Sequence, residues 1–126
     1  MNIVVQKYGG SSVENKEKLE NICTKIISYV NRGINIVVVV SAQGKTTNRL
    51  IDKAHDYSNN PNKRDLDLLL CSGEIQTVAL LSMMLNEKGY LSIGLTRSTS
   101  RYCVRFYIWQ CYNKINIYRK HFKTFK

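Results

Sequence analysis

Ile3-Val4-Val5 is a β-branched run that stops at Lys7-Tyr8-Gly9-Gly10, the pattern of a buried strand breaking into a tight loop. Ser11, with Glu14 three residues on, fits a capping box. Leu19, Ile22, Cys23, Ile26, Ile27 and Val30 then follow steps of three and four, one stripe of an amphipathic helix. Asn31-Arg32-Gly33 stops it. Ile34 to Val40 is a near-continuous β-branched run, as in a central strand covered on both faces. A loop from Ser41 to Thr47 leads into a helix carrying Leu50, Ile51 and Ala54, and Asn59-Asn60-Pro61-Asn62 is a break. Helical pattern resumes near Arg64 and runs to about Lys88, with an interruption expected around Ser72-Gly73. Gly89 ends it, and Tyr90 to Leu95 reads as a third strand. The order β-α-β-α-α-β predicts an α/β fold, a mostly parallel sheet flanked by helices in three α/β/α layers and built from right-handed βαβ units. Beyond Thr96 the regularity is lost: Ile115 and Ile117 alternate weakly, with nothing to pair with them.

Composition adds a boundary that periodicity alone does not set. The 126 residues carry a net charge of +10, but residues 1–96 hold 11 Lys/Arg against 9 Asp/Glu, whereas residues 97–126 hold 8 Lys/Arg and no acid. All three phenylalanines, Trp109 and half the tyrosines also lie in that last segment. The chain thus divides into 1–96, an α/β domain, and 97–126, a basic aromatic tail. No uninterrupted apolar run approaches the roughly 20 residues that span a bilayer. Met1-Asn2 leads straight into a strand without the pattern of a signal peptide. A cytoplasmic protein without a membrane partner is expected. Cys23, Cys71, Cys103 and Cys111 show no CxxC spacing, so Cys23 and Cys71 are expected as reduced core residues. Neither His55 nor His121 has a partner at metal-ligand spacing, which argues against zinc.

The chemistry lies in the loops. Ligands of an open parallel sheet bind beyond the carboxyl ends of its strands, where the loops after the first two strands emerge. Paired glycines let backbone amides approach a ligand, Lys7 supplies positive charge, and the following helix start adds its own partial charge. Strand, Gly-Gly loop and helix form a phosphate-binding arrangement, although a Gly-Gly turn can also be only a turn. Ser41, Thr47 and Glu74 offer hydroxyl donors and a carboxylate suited to an amino acid. The plainer readings are an exposed Lys7 at a strand end, Ser41 and Thr47 as loop or N-cap residues, and Glu74 as a first-turn helix acid. Two lookalikes fail. Gly44-Lys45-Thr46 is not a P-loop, whose first glycine would fall at Val39, and Gly9-Gly10 is not a GxGxxG fingerprint.

KYGGSSV at residues 7–13, the block Val39-Val40-Ser41-Ala42-Gln43-Gly44-Lys45-Thr46-Thr47-Asn48, and Cys71-Ser72-Gly73-Glu74 occur in this order and at suitable intervals. Together they make residues 1–96 resemble the aspartate kinases, within the wider amino-acid kinase family. The resemblance implies transfer of the ATP γ-phosphoryl group to the β-carboxylate of L-aspartate, the first step towards lysine, threonine and methionine, with Mg²⁺ accompanying the nucleotide. It implies that Lys7, Tyr8, Gly9, Gly10 and Ser11 contact ATP, Lys7 in a catalytic role, and that Ser41, Thr47 and Glu74 bind aspartate. Full-length relatives are expected to be oligomeric.

The pattern breaks after the third strand, where these kinases present a Gln-Ala-Gly segment, then a nucleotide-binding half and small regulatory domains. Arg97 onward resembles translation out of frame. One permitted codon set for Arg97 to Tyr112, read one base later, restores a Gln-Ala-Gly segment, and Trp109 followed by Gln110 forces a glycine in the shifted frame. A truncated chain, inactive alone, is expected. Two other readings take the tail at face value. Lys and Arg interleaved with aromatics suit single-stranded nucleic acid, but the tail lacks an RNA-binding motif and an organised basic face. Alternatively the chain is a structural subunit completed by a separate partner.

Overall fold

The computed structural model describes residues 3–96 and, through its backbone, a strand at 114–118. The elements are β1 (Ile3–Tyr8), a 3-10 turn (Gly10–Ser12), α1 (Lys16–Asn31), β2 (Asn35–Val40), α2 (Thr46–Tyr57), α3 (Lys63–Glu87), β3 (Ser92–Gly94) and β4 (Lys114–Tyr118). The expected α/β order is present. The nucleic-acid and frame-slip readings fall mostly on 97–113 and 119–126, which lie outside the described residues.

The predicted stripe forms the buried face of α1: Leu19, Ile22, Cys23, Ile26 and Val30. Its start differs from the expected capping box. Asn15 is the N-cap, its side chain accepting from the Lys18 amide at 3.0 Å, and Glu14 pairs with the Lys18 ammonium at 2.7 Å. Ser11 is held in the 3-10 turn, where Ser12 and Val13 amides bond back to Gly9 and Gly10 carbonyls, so it is unavailable as a cap. The helix start is therefore several residues removed from the Gly-Gly loop that its dipole was expected to serve. At the other end Gly33 and Ile34 amides bond to Val30 and Tyr29 carbonyls, and Gly89 and Tyr90 repeat this after α3. Both glycines have positive φ, the left-handed termination that glycine adopts without strain.

The expected interruption of α3 at Ser72-Gly73 is absent: the helix is continuous over 25 residues. Ser72 turns its hydroxyl back to the Leu69 carbonyl and Thr77 does the same to Gly73. A mid-helix glycine costs about 1 kcal/mol, and packing around Gly73 outweighs it. By length and composition α3 would suit a bilayer, yet Val78, Leu81 and Leu85 are buried in the hydrophobic core, the placement of a core helix. Asn86 then fixes the strand that follows. It accepts from the Ser92 amide at 2.8 Å and donates to the Ser92 carbonyl at 3.0 Å, so the predicted strand over 90–95 begins at Ser92.

The sheet order is β1-β2-β4-β3. β1 and β2 are parallel, with Val4 opposite Ile36 and Tyr8 opposite Val40, while β4 runs antiparallel to both β2 and β3. Three strands thus share one direction, and β4 inserts between β2 and β3. This corrects the expectation that nothing pairs with Ile115 and Ile117: they stand opposite Val39 and Val37, because the unpaired edge of β2 offers a ladder to an alternating β-branched segment.

Right-handed crossovers that step across the sheet in one direction place their helices on one face. The Ile36-Val38-Val40 face of β2 accordingly packs with α1 and α3 in one core. On the opposite face Ile3 and Val5 are 53 % and 66 % exposed. The described residues supply two of the three expected layers.

Cys23 is free and buried, whereas Cys71, only half-buried, is disulfide-bonded and not the reduced core thiol expected. Burial pushes up both the Cys23 thiol and the Tyr8 phenol, the latter also through Tyr29. Groups with raised pKa values contribute stability that is full below their ordinary values, near 9 and 10, and lost as pH rises through the raised ones. The urea midpoint is expected to be level from neutral pH to about 9 and to fall above it, with the fall beginning later in Cys23→Ala. A midpoint that holds to pH 11 excludes this account.

Candidate active site

The two loops at the carboxyl ends of β1 and β2 are laced together by backbone. Ser41 donates from its amide to the Tyr8 carbonyl at 3.2 Å, and Gly44 to the Gly10 carbonyl at 2.9 Å. Gln43 adds a side-chain strut, its Nε2 donating to the Val13 carbonyl at 2.8 Å. The approach is close enough that a Cβ on Gly10 would lie 2.9 Å from the Ala42 carbonyl oxygen. Gly10 is glycine because the second loop occupies the space of a side chain.

Gly9 differs. A Cβ there would meet only the Lys7 ammonium, 4.0 Å away, and the backbone is extended with negative φ. Among the described residues nothing demands glycine at this position. Its open side, with the Lys7 ammonium beside it, leaves room for a group that approaches the backbone. Among the described residues neither Gly9 nor Gly10 donates a loop or cap hydrogen bond from its amide. Lys7 is exposed and makes no ion pair among the described residues. Alternation along β1 sends Tyr8 the other way: its ring packs against the core and its hydroxyl donates to Gln6 at 2.8 Å. Tyr8 therefore offers the loop its backbone only, and Ser11 sits exposed in the 3-10 turn.

The third motif arrives through α3. A Cβ on Gly73 would lie 3.1 Å from both Ala42 Cβ and Thr46 Cγ2 and 3.2 Å from Leu50 Cδ1, so α3 lies hard against the second loop and the start of α2. Glu74 follows immediately, half-buried, with Oε2 fully shielded from solvent. It stands mid-helix, which removes the reading as a first-turn acid. The N-cap reading of Ser41 and Thr47 falls too, because Lys45 occupies the cap position of α2 without a side-chain cap bond. Ser41 is half-buried in the loop and Thr47 exposed in the first helical turn.

Two lysines bear on Glu14, whose side chain lies against Gly44 of the second loop. The Lys18 ammonium, which donates to Glu14, holds that carboxyl below its usual range, with Lys45 adding to the effect. Sequence reading had no purchase on Gln43 as a strut or on Gly73 as a contact point. Both roles depend on which loops the sheet brings side by side.

The model of the amino acid kinase family matches residues 2–114, and this chain belongs to that family. It is 48% identical over 96 residues to an aspartokinase of Geobacillus stearothermophilus, covering 76% of this chain and 24% of the relative. Aspartokinase 2 of Bacillus subtilis is 46% identical with the same two shares. Among solved structures, an aspartate kinase from Synechocystis superposes with a TM-score of 0.71 at 44% identity, over 75% of this chain and 16% of that one. The chain spans about a quarter of the length of the curated relatives it matches.

Proposed function

We propose that residues 3–96 form the aspartate-binding and phosphate-contacting part of an aspartate kinase. In that reaction a β-carboxylate oxygen of L-aspartate forms a bond to the γ-phosphorus of ATP, the bond to the ADP oxygen breaks, and ADP leaves. The observation that carries the proposal is the convergence of three motifs on one sheet edge, Gly10 against Ala42 and Gly73 against Ala42 and Thr46. Lys7 neutralises phosphate charge, while the open Gly9 and the Gly10 and Ser11 backbone, with that of Tyr8, line the phosphates. Ser41 and Thr47 donate to a substrate carboxylate, and Glu74 accepts from the ammonium. As the resemblance implies, Mg²⁺ would accompany the nucleotide, and no step is assigned to it. A cytoplasmic setting and a role in lysine, threonine and methionine synthesis are part of the same proposal, which the aspartokinase relatives support at the level of the reaction. For the segment past Thr96 we propose out-of-frame translation, tested by reading all three frames of the gene beyond that codon for a Gln-Ala-Gly segment.

Titration of the isotopically labelled chain with L-aspartate tests the pocket directly. The amide signals of Ser41, Thr47 and Glu74 are expected to move together. Glu74→Gln removes a charge-assisted hydrogen bond and weakens binding about tenfold or more. If aspartate moves none of these signals, or moves them equally in Glu74→Gln, the assignment of this pocket is wrong.

A further inference from the structure

Gln43 ties two elements together. Its side-chain amide donates to the Val13 carbonyl at 2.8 Å, and its own carbonyl accepts from the Thr46 amide at 2.9 Å, at the start of α2. Val13 closes the 3-10 turn and is fully buried in the core, so its carbonyl is a fixed point. Among the described residues, no other side chain of the second loop bonds to the first. The neighbours of Gln43 are the contacts on which the site is built. Ala42 stands against both Gly10 and Gly73, and the Gly44 amide donates to the Gly10 carbonyl at 2.9 Å. We propose that Gln43 is a positioning residue for both substrates. It seats Ser41 and the first turn of α2, with Thr47, against the loop of Lys7, Gly9 and Gly10, so one side chain assigned to neither ligand sets the affinity for both. The inference rests on the assignment of phosphates to the first loop and aspartate to the second.

The energetics give the role a distinctive signature. The bond from Gln43 is half-buried, so removing the donor strips the Val13 carbonyl of this partner and penalises the seated arrangement. The second loop then divides between seated and lifted arrangements. Each ligand binds the seated one, and its apparent affinity falls in proportion to the seated fraction. Whichever ligand binds first seats the loop for the second. Cooperativity between the two ligands is therefore weak while Gln43 holds the loop and emerges when its bond is lost. A residue that only shaped the second loop would affect aspartate alone.

The test titrates the isotopically labelled 126-residue chain with L-aspartate and with inorganic tripolyphosphate, each alone and with the other saturating. Gln43→Met keeps the length of the side chain and loses the donor. Each ligand alone should bind it about tenfold more weakly than the starting chain. Saturation with either should bring the other to within about twofold of the starting chain under the same conditions, a comparison in which repulsion between the two anions cancels. Hydrogen exchange at the Gly44 amide should quicken in Gln43→Met and slow again when either ligand is added. Gln43→Lys restores an unbranched donor and should bind aspartate within about threefold of the starting chain. Lys18→Met is the control: Lys18 ties the Ser11 carbonyl to α1 at 2.9 Å, so its loss should weaken tripolyphosphate and leave aspartate within about twofold. The proposal is overturned if Gln43→Met weakens one ligand only, or both without restoration by the other. Aspartate binding that falls in Gln43→Lys or Lys18→Met as far as in Gln43→Met overturns it too. A starting chain that binds neither ligand sinks the functional reading and this inference with it, whereas a Gln43→Met variant that binds both like the starting chain sinks the inference alone.

Discussion

Incubated with ATP and L-aspartate, the purified 126-residue chain is expected to form no aspartyl phosphate above the uncatalysed background. Phosphoryl transfer is almost wholly a matter of positioning two substrates and neutralising charge on the transferred group. The described residues supply one glycine loop with Lys7 and the Ser41, Thr47 and Glu74 group, within a chain that spans 24% of its aspartokinase relative. An aspartate held without a fixed nucleotide has no partner in line. In a protein of the relatives' full length containing this segment, Lys7→Ala is expected to lower the rate about a hundred- to a thousandfold, the usual effect of removing one group that stabilises transition-state charge. Lys7 is exposed at a strand end, so the fold should survive and thermal unfolding should be unchanged. Trapping the acyl phosphate with hydroxylamine, alongside ADP release, measures both. Robust aspartate-dependent turnover by the 126-residue chain, abolished by Lys7→Ala, would show that this part suffices and that the account of positioning is wrong.

What the sequence makes legible is local. The β-branched run of β2 and the α1 stripe are periodic signals that tertiary contacts only reinforce, and Gly33 and Gly89 end helices by their own conformational freedom. The start of α1 is ambiguous at this level, because Ser11 and Asn15 are both good caps. The 3-10 turn, tied to the second loop through Gly10, decides between them. β4 is the extreme case. Whether Ile115 and Ile117 pair depends on an open edge of β2 distant in sequence, which no local pattern reports. The candidate site divides the same way. Its residue types and order are visible as three motifs, whereas the contacts that join the motifs, Gly10 to Ala42 and Gln43 to Val13, exist only once β1 and β2 lie parallel. Gly73 belongs with them. Its low helix propensity suggests a break, and its true constraint is a neighbour on another element.

That constraint yields the largest expected effect on stability. Gly73→Val is expected to destabilise the chain by roughly 3 kcal/mol or more, enough to threaten a domain whose total stability is of order 5–15 kcal/mol. The reasoning turns on what surrounds the missing side chain. Ala42 Cβ and Thr46 Cγ2 stand 3.1 Å from where a Cβ would be, and Leu50 Cδ1 stands at 3.2 Å. Leu50 can rotate away, but Ala42 Cβ is fixed to the backbone of the second loop and moves only if that loop moves. Gly73→Ala separates the two terms. A mid-helix alanine gains about 1 kcal/mol of helix propensity, while a single methyl forces the contact apart by a few tenths of an ångström, so a net loss of about 1 kcal/mol is expected. Gly33→Ala is the control for conformation without crowding. Its backbone has positive φ, and nothing lies within 4 Å of the new Cβ, so it should cost roughly 1–2 kcal/mol from strain alone. Relaxing the neighbour gives the decisive comparison. In Ala42→Gly the Gly73→Ala loss should shrink or reverse, while the Gly33→Ala loss stays constant, as urea unfolding of the six proteins (each background alone, with Gly73→Ala and with Gly33→Ala) would show. A Gly73→Ala variant as stable as the starting protein in the Ala42 background would mean that α3 does not press on the second loop, and that Glu74 is not held to the site through this contact.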